Sequence, residues 1–303
     1  MLGFALDTTV HRGGAHRSLR IAGPGGLTRR IAFSRAGPAT AMNAQGVMTD
    51  WPADIPRPAH DPQTGQRVGT LIEGAATNIV PHSAASRTAW PNFGAHLTDL
   101  ALGALGRFPG VRVASQGSFS DRINTPAIPL SAGQDYAIRL YLRAGSSPSA
   151  RLIIRAAGGA FSRLGGPPDA MGTVADFAGP LVTLGQVTLP DATIMCDVRF
   201  TPLTSDIYDM GVGPDSALAG EDLIVLGLQC EAGPRPTSYI ATDGAPATRP
   251  ADQAAITGIG GQFDLHVNDG TGAWTRLEAL TVGEGYWPAL TGSVLSDMVL
   301  LRR

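Results

Sequence analysis

The chain has 303 residues, 43% of them hydrophobic and 16% charged, with a formal net charge of −2. It can therefore bury a core and is not disordered by composition, and its charge gives no electrostatic reason to expect nucleic acid. All 23 basic residues are arginine, which excludes Schiff-base lysine chemistry and a phosphate-loop lysine and leaves only planar cations suited to carboxylates and sugar hydroxyls.

Glycine (39) and proline (23) are abundant and favour many short strands joined by turns over long helices. Residues 1–48 read as short extended pieces, 18–21 and 30–34, broken by GPGG and AGP. They offer too little alternating apolar surface for a core of their own and are expected to pair with something else, another subunit included. The start of the chain lacks the pattern of a secretory signal, and no window reaches ~18 consecutive apolar residues, so a membrane span is not expected. Residues 49–70 carry Pro52, Pro56, Pro58 and Pro62 and read as an ordered, irregular strap. Within it, His60-Asp61-Pro62 superficially suggests chemistry. Asp before Pro is, however, a common turn start whose side chain accepts downstream backbone N–H groups, and the structural reading is preferred.

From about residue 78 the pattern becomes regular. Runs at 118–124, 136–143, 150–155, 185–189, 194–200, 206–212 and 223–229 alternate apolar and polar residues, with turn clusters such as GSSPS and GGPPD between them. Such spacing predicts a two-sheet sandwich. One short Ala/Leu-rich stretch, 96–105, reads as a helix. After a polar linker at 242–250, runs at 262–267 and 274–280 flank NDGTG and predict a hairpin. The division expected is thus a leader and strap at 1–77, a sandwich at 78–241 and a small C-terminal β appendage at 242–303.

No nucleophile elbow, zinc-binding helix motif or paired-cysteine motif occurs. Carboxylates are present, but nothing in the sequence pairs two of them across a cleft as a glycosidase requires. No enzyme is predicted. Two-residue alternation puts Tyr136, Ile138, Leu140 and Leu142 on one face and Arg139, Tyr141 and Arg143 on the other. The next run sends Arg151 and Arg155 outward in the same way. If these strands share a sheet, its outside is an arginine-rich surface with a tyrosine in it, either a saccharide platform or an ordinary solvated face. Trp90, Phe93 and Phe161 form a second candidate aromatic patch, with packing against the sandwich ends as the alternative. Cys196 falls in inward phase; Cys230 ends the last core run, and a bond between them is left open.

Two segments carry a resemblance. Residues 33–83 contain Phe33-Ser34-Arg35, Ala39-Thr40, Gly46-Val47, Pro56-Arg57, His60-Asp61-Pro62, Thr64-Gly65, Leu71-Ile72-Glu73 and Thr77-Asn78. Residues 223–252 contain Gly227, Gln229, Glu231, Gly233, Pro236-Thr237-Ser238-Tyr239-Ile240, Thr242, Thr248-Arg249 and Ala251-Asp252. Together they resemble the leader and closing strand of virion fibre and tail proteins of tailed phages and gene transfer agents. The resemblance implies an all-β jelly-roll sandwich like a carbohydrate-binding module, with an extended N-terminal leader that docks on other particle proteins. It further implies a homo-oligomer, trimer or pentamer, that is made in the cytoplasm, assembled into a phage-like particle and released by lysis. Binding of cell-surface polysaccharide for host attachment follows as the expected function, with a polysaccharide depolymerase or a purely structural virion connector as alternatives. No cofactor is expected, although modules of this kind allow a structural Ca²⁺ in their loops. In this setting the Gly, Pro, Asp and Asn of the strap serve turns, and Glu73 is placed to pair with an arginine such as Arg57.

Overall fold

A computed structural model describes residues 18–270 and 272–303, and the first 17 residues of the leader expected to dock on other particle proteins lie outside them. The described residues are all-β: antiparallel strands and turns, with no helix. They divide into two compact units, and the chain passes from one to the other after residues 38, 50, 74 and 249.

The larger unit, residues 39–50 and 75–249, is a sandwich. Its six-stranded sheet runs His96–Asp99, Val111–Ala114, Asp222–Ala232, Tyr136–Ala144, Ile194–Phe200, Leu181–Thr188. The opposing seven-stranded sheet runs Gly172–Asp176, Phe161–Gly166, Ala150–Ala156, Asp206–Pro214, Arg122–Asn124, Asn92–Phe93, with Ile128–Leu130 also paired to Asp206–Pro214. Side chains of inward phase from both sheets fill one core: Ile138, Leu140, Cys196 and Val198 from the first, Leu152, Ile154, Met210 and Val212 from the second. Each of these eight is at most 0% exposed to the nearest percent, which is what strict two-residue alternation achieves when two sheets face each other.

One interruption of the alternation has a consequence for the core. Tyr141 pairs with Gly227 and Leu142 with Val225, so Leu226 is the extra residue of a bulge. Before the bulge Leu223 and Val225 point into the core; after it Leu228 and Cys230 do. Leu226 turns the other way, into a second cluster on the outer side of the six-stranded sheet with Met48, Leu105, Phe108, Tyr141, Leu189 and Tyr239. The central strands are therefore buried on both faces.

Several expectations need correction. The stretch 96–105 is not a helix: His96–Asp99 is a strand against Val111–Ala114, followed by a turn in which Gly103, Leu105 and Gly106 all have positive φ (59°, 53° and 71°). Consecutive residues of that kind are incompatible with a right-handed helix. Of the run 118–124 only Arg122–Asn124 is strand. Residues before it form a loop gathered by the Asp121 carboxylate, which accepts from the backbone N–H of Gln116 (2.6 Å) and Ser118 (3.0 Å).

The leader and the C-terminal appendage are not separate pieces. Of the described residues, those at 18–38, 51–74 and 250–303 make the second compact unit. Its five-stranded sheet runs Gly26–Leu27, Ser18–Gly23, Asp297–Arg302, Gly261–Asn268, Thr275–Val282. Ile31–Ser34 pairs with Gln253–Ile256, and Arg67–Leu71 pairs with both Arg57–His60 and Val294–Leu295. The predicted hairpin at 262–280 is present as Gly261–Asn268 against Thr275–Val282. Leader residues 18–34 thus find their partners in the chain's own C-terminal strands. Neither piece holds a core alone, and together they bury Ile21, Ile31, Ile256, Leu265, Met298 and Leu300.

Candidate functional site

The strap segment resolves as turn chemistry. Asp61 Oδ1 accepts from the backbone N–H of Gln63 (3.0 Å) and Thr64 (2.7 Å) and from the Thr64 hydroxyl (2.9 Å). The Thr64 bonds hold its carboxyl below the ordinary range, as expected for a carboxylate that fixes a turn.

Glu73 does pair with Arg57, inside a larger cluster. Arg57 Nη2 donates to Glu73 Oε2 (2.8 Å) and to Asp252 Oδ2 (2.6 Å). Asp252 Oδ1 accepts from Arg35 Nη1 (3.0 Å), and the Glu73 backbone N–H also donates to Asp252 Oδ2 (2.9 Å). Arg35 spends its remaining donors on the carbonyls of Gly37, Trp51, Pro52 and Ile55. Side-chain exposure across the set is 0–3%, so two guanidinium groups and two carboxylates neutralise each other out of water. Each of the four residues lies within the smaller unit.

A parallel joint lies in the sandwich unit. Asn78 Nδ2 donates to the Ile240 carbonyl (2.9 Å), while its Oδ1 accepts from Cys230 N–H (3.1 Å). Gln229 Oε1 accepts from Ile240 N–H (2.6 Å), and the Gln229 amide also contacts Glu231. Glu231 accepts from the Thr237 hydroxyl (2.8 Å) and backbone (3.2 Å). Burial pushes its carboxyl up against those bonds. The Tyr239 hydroxyl meets Ser83 at 2.6 Å. Asn78, Gln229, Glu231, Thr237, Tyr239 and Ile240 carry the resemblance, and they are spent on closing the chain around the sandwich.

The predicted saccharide face is split and mostly covered. Arg139, Tyr141 and Arg143 lie on the six-stranded sheet, Arg151 and Arg155 on the seven-stranded one. Tyr141 points away from the main core as expected but is 1% exposed, packed on Phe108 (ring centroids 5.0 Å apart) and Tyr239 (5.9 Å). Arg139 makes a two-pronged pair with Asp197 (2.6 and 2.7 Å) and donates to the Thr237 carbonyl (3.1 Å). Burial opposes its charge, but Asp197 overcomes this and holds the guanidinium above its usual range. Arg143 pairs with Asp191 (2.8 Å). The covering layer, residues 39–50 and Tyr239, comes from distant parts of the chain, and no alternation pattern reports it. Arg139→Ala is therefore expected to lower stability by about 1.5–3 kcal/mol, the scale of a charged hydrogen-bonding partner removed from Asp197. Chemical unfolding with the sandwich transition unchanged would refute this.

Trp90 is also not a ligand aromatic. It is 1% exposed, within the main core, and its Nε1–H donates to the His82 carbonyl (2.9 Å). Phe161 packs edge-on against Phe177 (5.5 Å). Phe93 is different: 41% exposed, it carries the Arg122 guanidinium over its ring at 3.9 Å and that of Arg155 at 5.4 Å. Arg122 was hidden within a run read as a longer strand.

Both cysteines are free and buried. Burial pushes the Cys196 thiol up to about 12 and that of Cys230 higher still, so neither forms thiolate near neutral pH. The folded protein is expected to be inert to Ellman's reagent at pH 8, with both thiols reacting once it is unfolded; rapid reaction in the folded state would contradict the burial. Among the described residues no cluster of three or more His, Cys, Asp or Glu is arranged to hold a metal ion, and no helix is long and apolar enough to cross a membrane.

No protein-family model and no curated protein matches the chain. Among solved structures, an arabinose-bound α-L-arabinofuranosidase aligns at 11% identity with a TM-score of 0.33, over 66% of this chain and 31% of that one. The chain thus spans less than a third of that enzyme's length.

Proposed function

We propose that this chain is a structural, non-enzymatic component of a phage-like particle, a fibre or head-spike protein whose sandwich contacts cell-surface polysaccharide during host attachment. The supporting observation is the use made of the two resembling segments. Arg35, Arg57, Glu73 and Asp252 form one buried neutral cluster, and Asn78, Gln229, Glu231 and Thr237 form a second closed network. Residues so enclosed cannot reach a substrate. Their role is to hold together segments far apart in sequence, as a protein exposed on a particle surface requires. The chain is made in the cytoplasm, assembles as a homo-oligomer and leaves the cell with the particle at lysis.

A mass-spectrometric inventory of purified particles released by the source cells tests the assignment. The chain is expected among the particle proteins in several copies. Its presence in the lysate but absence from purified particles would overturn the reading.

A further inference from the structure

We infer that the polysaccharide contact lies on the outward face of the seven-stranded sheet, around Phe93, Arg122 and Arg155, and that it selects sugars bearing carboxylates. This rests on the polysaccharide-binding part of the proposed function and names the surface and ligand class for it.

The surface follows from register. In Asp206–Pro214, Tyr208, Met210 and Val212 are in the core, which leaves Asp209, Gly211 and Gly213 outward. Arg155 is the partner of Asp209, and Arg151 that of Gly213. On the other side Asn124 is the partner of Gly211, and Arg122 that of Phe93. The two glycines are required. A Cβ at Gly211 would sit 2.5 Å from Arg122 Cδ and from Asn124 Oδ1, because the Arg122 side chain lies across the glycine floor.

Arg122 is 3% exposed, yet its hydrogen bonds go to neutral groups, Asn124 Oδ1 (2.9 Å) and the Ser120 carbonyl (2.9 Å). Burial first, then the nearby Arg155, pull its guanidinium down to about 10, with Asp209 acting in the opposite direction. Arg155 pairs with Asp209 (3.0 Å), and Asp215 is taken mainly by Arg163 (2.8 Å), with Arg151 more distant (3.9 Å). Arg122, Arg151, Arg155 and Arg163 thus face Asp209 and Asp215, with Asp121 also acting on Arg151, which leaves a surplus of positive charge on a sheet whose chain is net negative. Among the described residues, Phe93 is the one ring with two guanidinium groups against it, and it is also exposed.

That combination fits an acidic sugar. The C–H face of a pyranose packs on the Phe93 ring, which Arg122 holds rigidly from behind. The carboxylate meets the half-exposed Arg155, and it relieves the repulsion among the arginines. A neutral sugar obtains the stacking contact alone.

The test uses the full chain, with polygalacturonate and the same polymer after reduction of its carboxyls as probes, read by calorimetry and affinity electrophoresis. Polygalacturonate is expected to bind, and the reduced polymer to bind roughly tenfold or more weakly, the scale of one charge-assisted hydrogen bond. Phe93→Ala and Arg155→Ala are each expected to weaken polygalacturonate binding by a similar factor while the protein stays folded at the assay temperature, as a retained cooperative melt shows. Arg122→Gln, if it folds, should do the same. Arg112→Ala, an exposed arginine on the other sheet, is expected to bind as the parent does. Equal binding of both polymers would overturn the acidic-sugar selection, and undiminished binding by the Phe93 and Arg155 variants would overturn the site. Binding of neither polymer would overturn both while leaving the particle inventory to decide the particle assignment.

Discussion

Arg57→Ala is expected to destabilise the smaller unit by about 3–5 kcal/mol, the cost of leaving buried charge without its partner. Arg57 is the bridge of the cluster: one nitrogen, Nη2, serves both Glu73 and Asp252. Its loss removes the donor that Glu73 and Asp252 share, at a place that water does not reach. An exposed pair gives the contrast. Arg87 and Asp99 are 2.9 Å apart with side chains 49% and 57% exposed, and Arg87→Ala is expected to change stability by about 0–1 kcal/mol. Urea unfolding followed by tryptophan emission reads the difference, because Trp51, Trp274 and Trp287 belong to the smaller unit and only Trp90 to the sandwich. Two compact units need not unfold together, so the transitions are fitted separately. Equal effects from the two substitutions would mean that the Arg57 cluster is not sealed from water.

Trp90→Ala is the second large effect, expected to cost the sandwich about 3–5 kcal/mol. The indole is fully enclosed in the main core, and its removal leaves both a cavity and the His82 carbonyl without its donor. Phe93→Ala, three residues on but exposed, is expected to cost about 1 kcal/mol, the scale of its contact with Arg122. Calorimetric melting separates the two. If Trp90→Ala melted as the parent does, the assignment of Trp90 to the core would fail. The pair also guards the binding experiment: a core aromatic reduces binding by unfolding the protein, a contact aromatic without doing so.

The strand framework was legible because two-residue alternation is a local property. Ile194–Phe200 alternates buried and half-buried along its whole length, as read from its residues alone. What lies on the far side of a sheet is not local. Tyr141 has the outward phase that the pattern assigns to it, yet Phe108 and Tyr239 cover it from positions that no periodicity connects. The same limit applies to charge. The pairing of Glu73 with Arg57 was visible within one strap, whereas Arg35 and Asp252 complete the cluster through bonds that span 179 to 217 residues of sequence. The helix expected at 96–105 failed on a signal that was present: Gly103 and Gly106 sit where the backbone turns left-handed. For Arg122 a usable sign existed in Gly211 and Gly213, two outward strand positions without side chains, which mark a place where a neighbour's long side chain must lie.

The interlaced course of the chain limits how this molecule can be cut or exchanged. A fragment or recombinant graft running from 78 to 241 would keep almost every sandwich strand but lose Met48, which packs beside Phe108 and Tyr141. It would also discard both Thr77 and Thr248, whose hydroxyls meet at 2.8 Å. Neither unit is a contiguous cassette, so a graft that carries one of them whole must carry all of its separated segments.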